Sequence, residues 1–355
     1  MTTKATKTPT APKHDFLEAC RGRAVRRTPV WIMRQAGRYQ PEYRAVRKKH
    51  TFMEMCKTPE LSAQVTLLPV EQLGVDAAIL FSDILIPVEA MGVPVEFTEA
   101  KGPVLARPVR TARDVARLRV PDPVDEMPFV MDAVRLIRRG LAGKVPLIGF
   151  CGAPWTLASY MVEGGGSKNY VEIKKLMFGA PEVYRALMDK ITATVADYLV
   201  AQVEAGAEAI QLFDSWAGAL SPRDYRALAA PWSARIVRAV KKTGVPVIHF
   251  VYDGGGVLEQ VRDTGADVVG LDWRVDLDVA RKRLGRKVAV QGNLDPCALF
   301  LPERQLRARV REVLRANAGQ PGHVFNLGHG ILPQCSVRAA QVLVDEVHKF
   351  KLAGA

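Results

Sequence analysis

AIQLFDSWAGALSPRDYRALAAPWSARIVRAVKKTGVPVIHFV, residues 209–251, sets two short apolar runs, AIQLFD (209–214) and PVIHFV (246–251), on either side of a helical pattern, SARIVRAVKKTG (233–244), that closes on a glycine. Near-continuous apolar runs suit strands covered on both faces, and strand, helix and strand in this order join parallel neighbours. The alternation continues outward in both directions. VWIMR (30–34), AAILFS (77–82), PLIGFC (146–151), DVVGLD (267–272), VAVQGN (288–293) and HVFNLG (323–328) are further strand candidates, which makes eight. Long helical stretches such as 181–206 lie between most of them and also end on glycine. Eight such units favour a closed (β/α)8 barrel of the TIM type over an open sheet. The glycine clusters EGGGS (163–167) and DGGG (253–256) lack the spacing of a dinucleotide-binding turn. VPVEF (93–97), within 91–128, is expected as part of a hairpin insertion. No repeat or compositional break marks a second domain. The expected organisation is a flexible basic tail over residues 1–14 and one barrel over 15–355.

The 355 residues are ample for a large α/β core. No run of 18 apolar residues occurs, and the basic start MTTKATKTPTAPKHD lacks the apolar stretch of an export signal, so a cytoplasmic protein away from membranes is expected. Five cysteines, without a CxxC pair, are expected as reduced thiols used in packing. The net charge is +13, and residues 1–50 hold thirteen Lys and Arg against three Asp and Glu. A basic arm fits nucleic acid or an anionic small molecule equally well on charge alone; no nucleic-acid-binding motif accompanies it.

In such a barrel chemistry belongs at the C-terminal ends of the strands. Just past the runs come Arg34 and Arg38, Asp83, the loop ending in Tyr160, Asp214 and Ser215, His249 with Asp253, Asp272, Asn293 with Asp295, and His329. Singly, each has a plain structural explanation as a cap, a turn or a core polar group. Together, arginines for bidentate grasp of carboxylates and an isolated carboxylate for N–H donors or a developing cation describe a polyanionic substrate with a cationic intermediate. No lysine suggests a Schiff base and no nucleophile elbow is present. MRQAGRYQPEYRAVR (33–47), a loop with four arginines around Gly37 and a proline stop, is where an anion would be held. Asp83 is not expected to cap a helix, because ILIP continues apolar and reaches Pro87 quickly.

WIMRQAGRYQPEY, FSDIL, GAPWTLASYMVEGGGS, QLFDSWAG, VVGLDW, QGNLDP and NLGHGILP, in this order, resemble the uroporphyrinogen decarboxylase family from about residue 15 to the C-terminus. The resemblance implies a single (β/α)8 barrel, usually a homodimer, that works without cofactor or metal on uroporphyrinogen, a substrate with eight carboxylates. It implies catalytic roles for Asp83, Arg34 and Tyr160. It implies substrate contacts from Arg34, Gln35, Arg38, Arg47, Asp83, Tyr160, Phe213, Ser215 and His329. Arg44 has no such counterpart and is expected to be a solvated side chain. The group that delivers the proton stays open among Arg34, Tyr160, His329 and a bound water. Corrinoid-linked methyltransferases resemble the chain in architecture and bind zinc through a His-x-Cys pair with a distant Cys. Here Val251 and His329 stand where those thiolates would be, so a metal-free protein is expected. A barrel that only binds tetrapyrrole or nucleic acid is the alternative from another class, and steep salt dependence without turnover would reveal it. The expected partner is the small-molecule substrate rather than nucleic acid.

Overall fold

A computed structural model describes residues 14–98 and 102–351; the basic tail expected over 1–14 lies outside the described residues except for His14. The described strands are β1 (Ala78–Ile79), β2 (Val95–Thr98), β3 (Gly102–Leu105), β4 (Leu147–Gly152), β5 (Ala209–Asp214), β6 (Val247–Val251), β7 (Val268–Gly270), β8 (Ala289–Gln291) and β9 (His323–Val324). Seven of them form one sheet in the order β1-β4-β5-β6-β7-β8-β9. Every neighbouring pair in it is parallel, with Ile148 opposite Ala209 and Ile210 opposite Val247. The hairpin in 91–128 is present as the antiparallel pair β2–β3, Val95 facing Leu105.

The eighth strand departs from expectation. VWIMR (30–34) contributes one parallel bridge, from Val30 to Phe325, and no ladder. Its backbone leaves the extended path because its polar groups are drawn elsewhere. Trp31 Nε1 donates to Gln291 Oε1 at 2.9 Å and Met33 N–H donates to Asn326 Oδ1 at 2.9 Å, after which Arg34 adopts a left-handed φ of 63°. On the opposite flank Asp76 N–H donates to the Val30 carbonyl at 2.7 Å, while the Asp76 carboxylate accepts from Val30 N–H at 2.8 Å. The fold is thus α/β with a curled seven-stranded parallel sheet, and a full eight-strand ladder is not formed among the described residues.

Alternation along each strand sends one set of side chains into the curl and the other against the helices. The inner set starts at the N-terminal end with Ile148, Ala209, Ile248, Val268 and Ala289, all buried. The helix Asp15–Cys20 packs Phe16, Ala19 and Cys20 onto them, which plugs that end and leaves the C-terminal end open. A polar layer follows, in which Gln291 Nε2 donates to Gln211 Oε1 at 3.0 Å. Outside, the helix Pro181–Ala205 starts on proline, stops at Gly206 with φ 125°, and buries Leu187, Ile191, Val195 and Leu199 at helical spacing. Each such side chain contributes roughly 1.5–3 kcal/mol by leaving water. Of the cysteines, Cys20, Cys56, Cys151 and Cys335 are buried thiols, but Cys297 is exposed. It lies on the short turn Pro296–Phe300, whose start the Asp295 carboxylate caps at Cys297 N–H, and the side chain points away from the core.

Candidate active site

The arginine loop is built from its own glutamines. Gln35 is 1% exposed, and both ends of its amide are occupied: Ile32 N–H donates to Oε1 at 3.0 Å and Nε2 donates to the Ala77 carbonyl at 3.1 Å. Tyr39 Oη donates to the Gln35 carbonyl at 2.7 Å, and Gln40 Oε1 accepts from Gly37 N–H at 3.1 Å. Arg44, expected as a solvated side chain, is exposed and in addition donates to the Arg38 and Tyr39 carbonyls at 2.9 and 3.1 Å. Its guanidinium braces the loop because the loop's carbonyls face it across one helical turn. With the backbone so fixed, Arg34 and Arg38 are exposed and Arg47 is half-buried, with Nη1 donating to the His50 carbonyl at 2.6 Å.

The loop after β9 fastens to this one. Ile331 N–H donates to the Met33 carbonyl at 2.9 Å, and Asn326 Oδ1 holds Met33 N–H from the other side. Gly330 lies directly beneath the Arg34 side chain, since a Cβ there would overlap Arg34 Cδ and Cγ. Arg34 and His329 are thereby brought to one place although they come from opposite ends of the chain.

Asp83 follows β1. Its Oδ1 accepts from Leu85 N–H at 2.8 Å; a short helix, Ile86–Ala90, begins after it where the sequence argued against a helix start, but its N-cap is Leu85 and no side chain caps it, so Asp83 is not the cap residue. Pro87 falls in the helix's first turn, where a missing N–H costs nothing. Among the described residues no donor is placed on Asp83 Oδ2. The carboxyl keeps partial solvent access while protein surrounds it, as at the bottom of a recess. Burial pushes its pKa up to about 6, against the Leu85 N–H and the Arg34 charge, which pull it down. Tyr160, on the helix Pro154–Glu163, has its phenol raised by burial and by the Asp83 charge, with Arg34 opposing. The His329 imidazole is lowered to about 4 by burial and by the Arg34 and Arg274 cations, so it is neutral at pH 7. Burial raises the Cys56 thiol, with the Asp83 charge adding to the rise and the Lys57 and Arg47 charges opposing it.

An aromatic floor joins these groups. Phe150 and Phe213 are edge-to-face at 5.6 Å, Phe213 and Phe250 at 6.1 Å, and Tyr252 meets the His329 ring at 4.7 Å. Tyr160 stacks on Trp216 at 3.8 Å, and Ser215, half-buried, precedes that ring. Phe150, Phe250, Tyr252, Trp216 and Arg274 were absent from the sequence-derived set. Period-two spacing from the inner-facing Ile148 to Phe150, and from Ile248 through Phe250 to Tyr252, could have found three of these rings. Other polar groups turn out to be structural. His249 is buried within β6 with Nδ1 3.2 Å from Thr264 Oγ1, and its pKa is lowered to about 3 by burial. Asn293 donates to the Asp272 and Val275 carbonyls at 2.8 and 2.7 Å. Among the described residues no group of three His, Cys, Asp or Glu side chains is placed to hold a metal ion. No helix of the described residues is long and apolar enough to cross a membrane.

A cation loop, a recessed carboxylate, a phenol and a neutral imidazole around an aromatic floor suit a large, ring-containing polyanion. Comparison with known proteins agrees. The uroporphyrinogen decarboxylase (URO-D) family model matches residues 11–350. A protein named uroporphyrinogen decarboxylase from Geobacter metallireducens is 57% identical over 335 residues, which cover 94% of this chain and 98% of that one. One from Carboxydothermus hydrogenoformans is 54% identical over 94% of this chain and 96% of its own. Among solved structures, a methyltransferase from Methanosarcina mazei superposes with a TM-score of 0.80 at 22% identity, over 94% of this chain and 97% of that one, which is a likeness of fold. A family model that matches residues 11–350 and identity above half over nearly the whole chain mean that the chain belongs to the uroporphyrinogen decarboxylase family.

Proposed function

We propose that the chain is a carboxy-lyase that removes CO₂ from the four acetate side chains of uroporphyrinogen III, giving coproporphyrinogen III in porphyrin and haem biosynthesis. The observation that carries this is family membership at more than half identity over nearly the whole chain. The chemistry needs an electron sink, since a carboxylate cannot leave a CH₂ group as a free carbanion. The substrate's pyrrole supplies it. Protonation at a ring carbon gives a cationic species; the carboxylate's C–C bond then breaks, its electron pair neutralises the ring, and CO₂ leaves. A second proton on the exocyclic carbon completes the methyl group, and loss of the first proton from the ring carbon restores the neutral pyrrole. No cofactor enters this sequence, in keeping with the family resemblance.

Within this reading Asp83 accepts the pyrrole N–H groups and stabilises the ring cation, a stabilisation greater in the transition state than in the ground state. Arg34, Arg38 and Arg47 hold carboxylates, and Tyr160, Ser215 and His329 position the macrocycle over Phe213. Gln35 serves through the loop whose backbone it ties. Supporting the assignment are the shared electrostatic reach of Arg34, Asp83, Tyr160 and His329 and the neutral state of the imidazole. Residues 29–31 act as an eighth stave closing a (β/α)8 barrel, supported by the Val30–Phe325 bridge and the Asp76 bonds, and residues 15–355 form that one domain behind a flexible basic tail. The family resemblance further suggests a cytoplasmic homodimer with no role in binding nucleic acid, which sedimentation and salt-dependent binding assays address. The primary test is anaerobic incubation with reduced uroporphyrinogen III and chromatography of the products. Progressive loss of carboxylates to the tetracarboxylate is expected; no conversion would overturn the proposal.

A further inference from the structure

We propose that Arg274 is a carboxylate-binding residue of this mouth, engaging one of the propionate arms that the reaction leaves in place; this rests on the function proposed above. Arg274 follows β7 at the same open end as Asp83 and His329. Its guanidinium carbon stands 4.6 Å from the Tyr252 ring centre and 4.4 Å from that of Trp273, in the corner between the two rings. Nη2 donates to Tyr252 Oη at 2.9 Å. The Tyr252 ring in turn packs against His329, and the Arg274 cation is one of the two that depress the imidazole. Arg34 is the other. His329 is thus flanked by two guanidinium groups from different loops.

Two acidic groups face Arg274, and neither saturates it. The Asp272 side chain is wholly buried; its Oδ1 accepts from Arg274 N–H at 2.8 Å and its Oδ2 from Asp253 N–H and, at 3.3 Å, from Arg274 Nη1. Asp253 Oδ1 is 3.8 Å from Nε, beyond hydrogen-bond range. Asp272 and the rings therefore fix the guanidinium, while 39% of the side chain stays exposed. A planar fork held on aromatic faces with an open edge is a prepared carboxylate receptor. Arg274 reaches the His329 side through the Tyr252 ring, which it overlies and which meets the imidazole at 4.7 Å, whereas Asp83 follows β1, four strands away from β7 in the sheet. Arg274 accordingly serves an arm on the His329 side of the mouth, and the longer, unreactive propionate is the arm with that reach.

Arg274→Gln and Arg274→Lys in the full-length protein test this, with uroporphyrinogen III for turnover and coproporphyrinogen III, which has propionates and no acetates, for equilibrium binding. Loss of a bidentate ion pair is expected to raise KM and to weaken coproporphyrinogen binding by the same factor, roughly tenfold, with kcat within about a factor of two. The lysine variant should recover part of both. Weakened KM with unchanged coproporphyrinogen affinity would overturn the propionate assignment. Unchanged KM, or a fall in kcat alone, would overturn a substrate contact altogether. Should Gln fail to fold, the lysine variant keeps the charge and decides the same question. Failure of the parent protein to convert uroporphyrinogen would instead refute the underlying function, so the two failures are separable.

Discussion

Asp83 combines a demanding position with a demanding task. In the proposed function its carboxyl must be charged to attract pyrrole N–H groups, yet burial raises its pKa from an ordinary 3.8 to about 6. Below about pH 6 the free protein holds it protonated, so kcat/KM should fall with acidity through that region. Asp83→Asn keeps the shape, and we expect turnover to drop by roughly 10² or more with the acid limb abolished, measured as a pH–rate profile. Linkage gives the opposite sign for stability. A carboxyl with a raised folded pKa binds its proton more tightly when folded, so ionising it erodes stability as pH rises from about 4 to about 6. The Asn variant should therefore match or exceed the parent in urea midpoint at pH 8 while losing activity. Gly330 makes a second case at this scale. Gly330→Ala would force Arg34 from its seat, because the new methyl overlaps the arginine stem. Turnover is expected to fall at least tenfold with little change in melting temperature, since a side chain and not the core gives way. The arginines, Asp83, Tyr160 and His329 were visible in the sequence as unusual residues in motif-like strings. Gly330's seat under Arg34 was not, because it depends on a contact between loops at the two ends of the chain.

The helix Pro154–Glu163 shows how an element carries a candidate site residue, Tyr160. Asp214, at the end of β5, is fully buried and accepts from Thr156 Oγ1 at 2.6 Å, near the N-terminal end of that helix. Thr156 Oγ1 also accepts from Trp216 N–H at 3.3 Å, and Trp216 is the ring on which Tyr160 stacks. One carboxyl thus ties the strand end, the helix start and the Tyr160 platform. Its other oxygen has no partner, and burial raises its pKa to about 7 despite the Thr156 bond. Protonation then stabilises the folded state, and stability should decline as pH climbs from about 4 to about 7, by at most about 1.4 kcal/mol per pH unit. Asp214→Asn should remove that slope relative to the parent in urea titrations at several pH values, a difference that cancels the opposing contribution of the buried histidines. The sequence displayed this strand and helix clearly, through apolar runs and closing glycines. It did not show that the run at 30–34 would form one bridge and no ladder, because an apolar run says nothing about where Trp31 Nε1 and Met33 N–H will find acceptors. The short helix after Asp83 was missed for a related reason: the proline at position 87 that argued against it sits where a helix tolerates proline.

Across the whole molecule, Asp76 gathers three distant pieces. Its carboxylate accepts from Val30 N–H at 2.8 Å and Arg27 Nη2 at 2.8 Å, and pairs with His348 Nε2 at 2.8 Å on the last helix. Burial raises the Asp76 pKa, but the bonds to His348, Val30 and Arg27 outweigh it and the net shift is downward. This contribution to stability is present above the ordinary carboxylate range and lost as pH falls through the depressed folded value. Asp76→Ala leaves those donors unpaired and should cost about 2 kcal/mol or more at pH 7, measured by urea unfolding. Both ends of the curled sheet depend on that anchor, and one of them also depends on time. The bridge from Val30 to Phe325 cannot form until Phe325 has left the ribosome, which at usual elongation rates is about 15–60 s after Val30 emerges. A nascent chain consequently carries its arginine loop with no Asn326 to hold Met33 and no Gly330 beneath Arg34. The candidate pocket is completed only once residues 325–330 have been synthesised, so a chain stalled or cut short before residue 330 would hold most of the sheet but neither His329 nor the seat beneath Arg34.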